Sequence, residues 1–145
     1  MEAYSFFSDG LAPVVWVVPL LDPCPSPPLF EVRSEYVETV WLSVLGPSAT
    51  WALRRLGTLV SAFPTGTWID TAELGECLGL GGGQALLSRT LRRLVMFSMA
   101  AVDGHTLLVR PRVGAVSPRM LERLPLILVS EHRRMVVQAR ERCAA

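Results

Sequence analysis

Apolar and polar positions recur along the chain with a period that changes from segment to segment, and the changes mark its elements. From Ser34, the residues Val37, Val40, Trp41, Val44 and Leu45 fall at the three- and four-residue steps of one helix face. Glu35 and Glu38 stand in the first turn, where a carboxylate meets the positive end of the helix. Gly46-Pro47-Ser48 breaks the run. Ser48 is the expected N-cap of a second helix with apolar positions Trp51, Leu53, Leu56, Leu59 and Val60, and Phe63-Pro64-Thr65-Gly66 ends it as a turn. Thr67 to Asp70 is short and β-prone. Asp70 or Thr71 then caps a short helix from Ala72 to Leu78, and Gly79 to Gly83 forms a turn. A strongly patterned helix is predicted from about Gln84 to Met99. Ala100 to Val102 and Thr106 to Arg110 read as two strands joined by the hairpin dipeptide Asp103-Gly104.

The flanks are patterned differently. Leu11 to Leu21 contains the β-prone run Val14-Val15-Trp16-Val17-Val18, followed by a proline-dense, extended linker from Asp22 to Pro28. An apolar strand of this kind is a liability unless something covers it. Two uses stay open: an extra strand packed on the core, or a strand that binds a partner protein through 11–21. At the other end, Ser117 to Leu124 and Leu126 to Arg142 read as helices separated at Pro125. Leu121, Leu128 and Met135 recur every seven residues with Leu124 beside them, a surface for a homodimer through 117–142. Glu131 and His132 interrupt that stripe, so no long coiled coil is expected. Trp41, Trp51 and Trp68 occupy apolar positions and are expected in the core.

Composition narrows the class. At 145 residues, 50% hydrophobic and 19% charged, the chain has the apolar content for a real core and suits one domain with appendages. The expected division is an N-terminal extension over 1–33, a domain over 34–114 and a C-terminal helical extension over 115–145. No apolar run reaches the roughly 18 residues of a membrane span. The longest is interrupted by Pro13 and Pro19 and preceded by Glu2 and Asp9 rather than by basic residues, unlike a secretory leader. A soluble, cytoplasmic protein is expected. Cys24, Cys77 and Cys143 are scattered and odd in number, as free thiols in a reducing compartment are. With His105 and His132 near none of them, no metal or cofactor is expected.

The order from Ser48 to Arg112 (helix, short strand, helix, glycine turn, long helix, strand, turn, strand) resembles the winged-helix, or winged helix-turn-helix, superfamily. The fold class is then mainly α, of α+β type, with extra C-terminal helices and a β-prone N-terminal extension. The segments WLSVLGPSATWALRRL, LGLGGG and RTLRRL also resemble uncharacterised actinobacterial winged-helix proteins, a likeness that implies a fold and no activity. What the superfamily implies is a transcriptional regulator binding double-stranded DNA, with a recognition helix at about 84–99 in the major groove. The alternative is a protein–protein interaction or adaptor module, an inhibitor or accessory factor, on the same fold.

The residues that would carry DNA binding lie mostly on that helix. Leu87, Leu91, Leu94, Val95 and Ser98 cluster on one side, and Arg89, Arg92 and Arg93 on the other. All fourteen basic residues are Arg, whose planar forks suit phosphates and guanine edges. Gln84 and Ser88 on the helix, and Arg110 and Arg112 after the hairpin, complete the expected set. His105 is an exposed tip residue, and Arg54 and Arg55 either contact backbone or pair with Glu side chains. The glycine turn is either a plain connector or an anion site at the helix N-terminus. A net charge of +1 gives no global footprint of a nucleic-acid binder. Enzyme chemistry finds no support: there is no G-x-S-x-G elbow and no dinucleotide loop, and Glu73 and Glu76 lack a His partner.

Overall fold

A computed structural model describes residues 6–8, 10–23 and 25–144; Glu2, Asp9 and Cys24 lie outside them. The fold is of mixed α+β class. Strands β1 (Val14–Pro19) and β2 (Leu29–Glu31) come first. A helix over 35–45 follows, π-helical at Val37–Trp41 and ending as α1 (Leu42–Leu45). After it come α2 (Pro47–Ala62), β3 (Thr67–Asp70), α3 (Thr71–Cys77) and α4 (Gln84–Met96). The hairpin β4 (Ala100–Asp103) and β5 (Thr106–Val109), then β6 (Arg112–Gly114), α5 (Pro118–Leu121) and α6 (Leu126–Ala144) complete the chain.

The N-terminal strand is the heart of the main sheet, whose order is β3-β1-β5-β4. β1 runs antiparallel to β3, with Trp16 opposite Trp68, and parallel to β5, with Val17 opposite Leu107. The alternation explains the placement. Val15 and Val17 are 3% and 0% exposed and enter one buried layer with Ala100, Leu107 and Val109. Both strand edges are hydrogen-bonded, and the bonding continues past the ladder. The Leu20 N–H donates to Val109 O at 2.8 Å, and Thr71 donates through its N–H to Pro13 O at 2.9 Å and through its hydroxyl to Ala12 O at 2.8 Å. Of the two uses open to 11–21, the chain adopts the first, so this strand is not free for a partner. The linker then delivers β2 to β6, antiparallel, with Phe30 opposite Val113. Residues before Ser34 thus contribute a strand to each sheet instead of standing apart as an extension.

Helices cover the buried layer. α2 buries Ala52, Leu53, Leu56 and Val60. Gly57 lets it lie close to the chain beneath, since a Cβ there would stand 2.8 Å from the Arg110 carbonyl oxygen. α4 buries Leu87, Leu91 and Leu94, as its pattern predicts. α2 starts at Pro47 rather than after a Ser48 cap: Gly46 turns the chain at φ +82°, and proline in the first turn has no N–H to leave unpaired. Asp70 does cap α3, its carboxylate accepting the Glu73 N–H at 2.9 Å.

α4 ends at Met96, three residues before the expected Met99. The Ser98 N–H bonds to Val95 O and the Met99 N–H to Leu94 O, the paired closure of a Schellman turn. That closure puts Ser98 in the left-handed region at φ +61°, where glycine is usual. The hairpin loop is Gly104-His105, one residue later than Asp103-Gly104, because Asp103 pairs with Thr106 and Gly104 supplies the positive φ at the first loop position.

Only one of the three tryptophans expected inside is there. Trp41 is 4% exposed and donates its indole N–H to Gly114 O at 2.9 Å. Trp51 is 58% exposed because it is out of phase with Leu53, Leu56 and Val60 on α2, and Trp68 is 64% exposed on the edge strand β3. In α6, Met135 and Val136 are buried against the chain's own domain, which takes up part of the seven-residue stripe. Leu126, Ile127 and Val137 remain exposed.

Truncating Val17 to Ala removes a fully buried side chain from the central strand and is expected to lower unfolding free energy by about 2 kcal/mol in urea titrations. Ser98→Gly relieves the left-handed residue without touching the carbonyl bonds, and is expected to raise stability by roughly 0.5 kcal/mol in the same assay.

Candidate functional site

The expected nucleic-acid face has been partly taken over by the chain itself. Gln84, Arg89, Arg92 and Arg93 are exposed and Ser88 is half-buried. Several of their polar groups are nonetheless engaged. The Gln84 amide donates to Leu11 O at 2.6 Å. The Arg92 guanidinium stands 5.0 Å from the Phe7 ring centre and donates to Phe7 O at 3.4 Å. Phe6 and Phe7 are 5% and 9% exposed, so the chain leading into β1 lies along this flank of α4.

Arg93 does a different job. Its Nε–H and Nη2–H donate to Leu45 O and Val44 O at 2.5 and 2.8 Å, occupying carbonyls that the end of α1 leaves without helical partners. Arg110 donates through Nε to Ser98 O at 2.7 Å, clamping the left-handed turn after α4. Arg112 sits on β6 opposite Glu31. Among the described residues, Arg89, Arg112 and Ser88 have no side-chain partner. Leu86 and Met96 share α4 with Arg89 and are 48% and 71% exposed, and the hairpin tip carries His105 beside Asp103 with no fixed cation.

A second constellation was not foreseen from the sequence. α2 on one side and β3 with α3 on the other enclose a groove of about 770 Å³. Trp51, Arg55 and Leu59 line the α2 wall, and Trp68, Asp70 and Glu73 line the other. Leu56 and Leu74, both buried, lie beneath. Each tryptophan is held on one side and open on the other. The Arg54 guanidinium lies 4.8 Å from the Trp51 ring centre and is itself fixed by Glu38 at 2.7 Å and by Arg33 O at 3.3 Å. Trp68 meets Trp16 edge to face at 5.0 Å. Arg54 and Arg55 on the α2 wall, with Arg33 beside them, thus share the groove with the carboxylates of Asp70 and Glu73 across an apolar, aromatic strip. Cys77, a free and exposed thiol, also lines the groove.

The signal that could have found it was the phase of Trp51, which shares a helix face with Arg55 and Leu59 rather than with the buried Leu53 and Leu56. Arg54 pairs with Glu38 and also donates to the Arg33 carbonyl. Among the described residues no group of three His, Cys, Asp or Glu is placed to hold a metal ion, and no helix is long and apolar enough to cross a membrane.

The contrast between Arg93 and Arg89 is directly measurable. Arg93→Ala orphans two helix-end carbonyls and is expected to cost about 1 kcal/mol of stability in denaturant titration. Arg89→Ala is expected to change stability by less than about 0.5 kcal/mol. Comparison with known proteins returns no match: no family model, no curated protein and no solved structure.

Proposed function

We propose that the chain is a winged-helix-type protein-interaction module that seats an amphipathic segment of another protein in the Trp51–Trp68 groove. The observation that carries this reading is that two tryptophans, each more than half exposed and each packed against a neighbouring side chain, stand on the walls of one groove. Large aromatic surface held rigid and left in water is the usual anchor of a protein interface. The walls add polarity. Arg55 fits an acidic flank on the incoming segment, and Asp70 and Glu73 fit a basic one, with an apolar stripe between them. The element order supports the winged-helix assignment, with β1 as an addition between β3 and the hairpin.

A regulator binding double-stranded DNA is the second reading, favoured by the unpartnered Arg89 on the outward side of α4. It ranks lower because Gln84, Arg92, Arg93 and Arg110 already donate to the chain's own carbonyls. A homodimer serving that reading would use Leu126, Ile127 and Val137, the part of the C-terminal helix left uncovered.

The test is a photo-crosslinking residue at position 77, on the groove wall with Trp51 left intact, identification of the captured protein, and calorimetric titration of that purified protein against wild type and variants. Trp51→Ala is expected to weaken binding at least thirtyfold, about 2 kcal/mol, while Arg89→Ala leaves it unchanged. A partner indifferent to Trp51→Ala contradicts the groove. Salt-sensitive affinity for duplex DNA that disappears with Arg89→Ala decides for the second reading.

A further inference from the structure

The hydroxyl of Tyr36 lies where three parts of the chain meet. It accepts the Val116 N–H at 2.9 Å and stands 2.8 Å from Nδ1 of His132 on α6. The ring is 1% exposed and stacked on Phe30 at 4.0 Å. Burial pushes its pKa up to about 12 against the opposing effect of the Val116 bond, so the hydroxyl keeps its proton throughout the range in which histidine titrates. The oxygen already receives the Val116 N–H. The hydroxyl's own proton therefore has one acceptor among the described residues, Nδ1 of His132, and the ring must be neutral with its proton on Nε2. Ala139, half-buried, also packs α6 against the core. Met135 and Val136 are its buried side chains, and Arg134 reaches Glu35 at 3.0 Å in an exposed ion pair.

We infer that Tyr36 and His132 form an acid-released latch holding the C-terminal helix against the domain, independently of the groove. A proton added at Nδ1 sets two donors against each other and leaves the buried hydroxyl without an acceptor. α6 then leaves its seat, uncovering Met135, Val136 and the Phe30–Tyr36 stack. The charged neighbours agree in direction. From its own helix, Arg133 and Arg140 oppose a cation at His132; from the helix over 35–45 it faces the neutral Tyr36 hydroxyl, while Glu35 directs its carboxylate to Arg134. From the segment after β6 comes only the Val116 amide, through Tyr36. Burial first, then Arg133 and Arg140, hold the His132 pKa below 6.5. With the docked value below the undocked one, the latch is fully closed above pH 6.5 and weakens as pH falls from there through the docked pKa.

The experiment is NMR of the full labelled chain from pH 7.5 to 4.5, following the His132 ring nitrogens and the Met135 and Val136 methyl groups, with Leu107 methyls as the control for the core. At pH 7.5 the Nε2–H tautomer is expected. Below pH 6.5, His132 titration and movement of the α6 methyls toward random-coil shifts should coincide while the Leu107 signals hold. H132N, whose side-chain oxygen stands where Nδ1 does and accepts the Tyr36 proton without titrating, is expected to keep α6 docked at pH 5. Three results overturn the latch: α6 methyls indifferent to His132 titration, a folded-state pKa at or above 6.5, or release of H132N at the wild-type pH.

Discussion

The insertion of β1 between β3 and β5 is the constraint on which the rest of the molecule depends. These two neighbours run antiparallel to each other, since β1 is antiparallel to one and parallel to the other. Two strand spacings, roughly 9–10 Å, separate them, and β1 fills that gap and pairs with the facing backbone of both. Val15 and Val17 add apolar burial to that pairing. The strand is therefore structurally committed.

Its consequences reach both candidate faces. Upstream, Pro13 and Ala12 accept from Thr71 at the start of α3, Leu11 accepts from Gln84, and Phe7 accepts from Arg92. The basic side of α4 loses part of its hydrogen-bonding capacity to the chain's own backbone. On the sheet's other face, Trp16 supports Trp68 from one side and leaves its remainder to the groove. One strand thus restrains the helix that would read DNA and props an aromatic wall that suits a protein partner.

Local periodicity carried much of this architecture. The leucine face of α4, the Asp70 cap and the β character of the N-terminal run were legible because each depends on neighbours within a few residues. β2 and β6 were not, being three-residue strands whose pairing is a long-range event with no room for a period. The apparent tryptophan core failed at Trp51 and Trp68, because composition counts an apolar residue without asking which side of its element it occupies. The arginine cluster was read correctly as lying on the polar side of α4. What sequence spacing lacked was the destination of each guanidinium: carbonyls at the end of α1 for Arg93, the Phe7 backbone for Arg92, solvent for Arg89. Such acceptors come from segments dozens of residues away.

Amide hydrogen exchange of the intact chain tests the commitment of β1 most directly. Val15 to Val18 should exchange as slowly as Leu107 to Val109, by global unfolding, and far more slowly than the Ser26 amide of the linker. Fast, linker-like exchange at Val15 to Val18 while Leu107 to Val109 stays protected would contradict the account, because the strand would then be a detachable arm and the flank of α4 open to DNA.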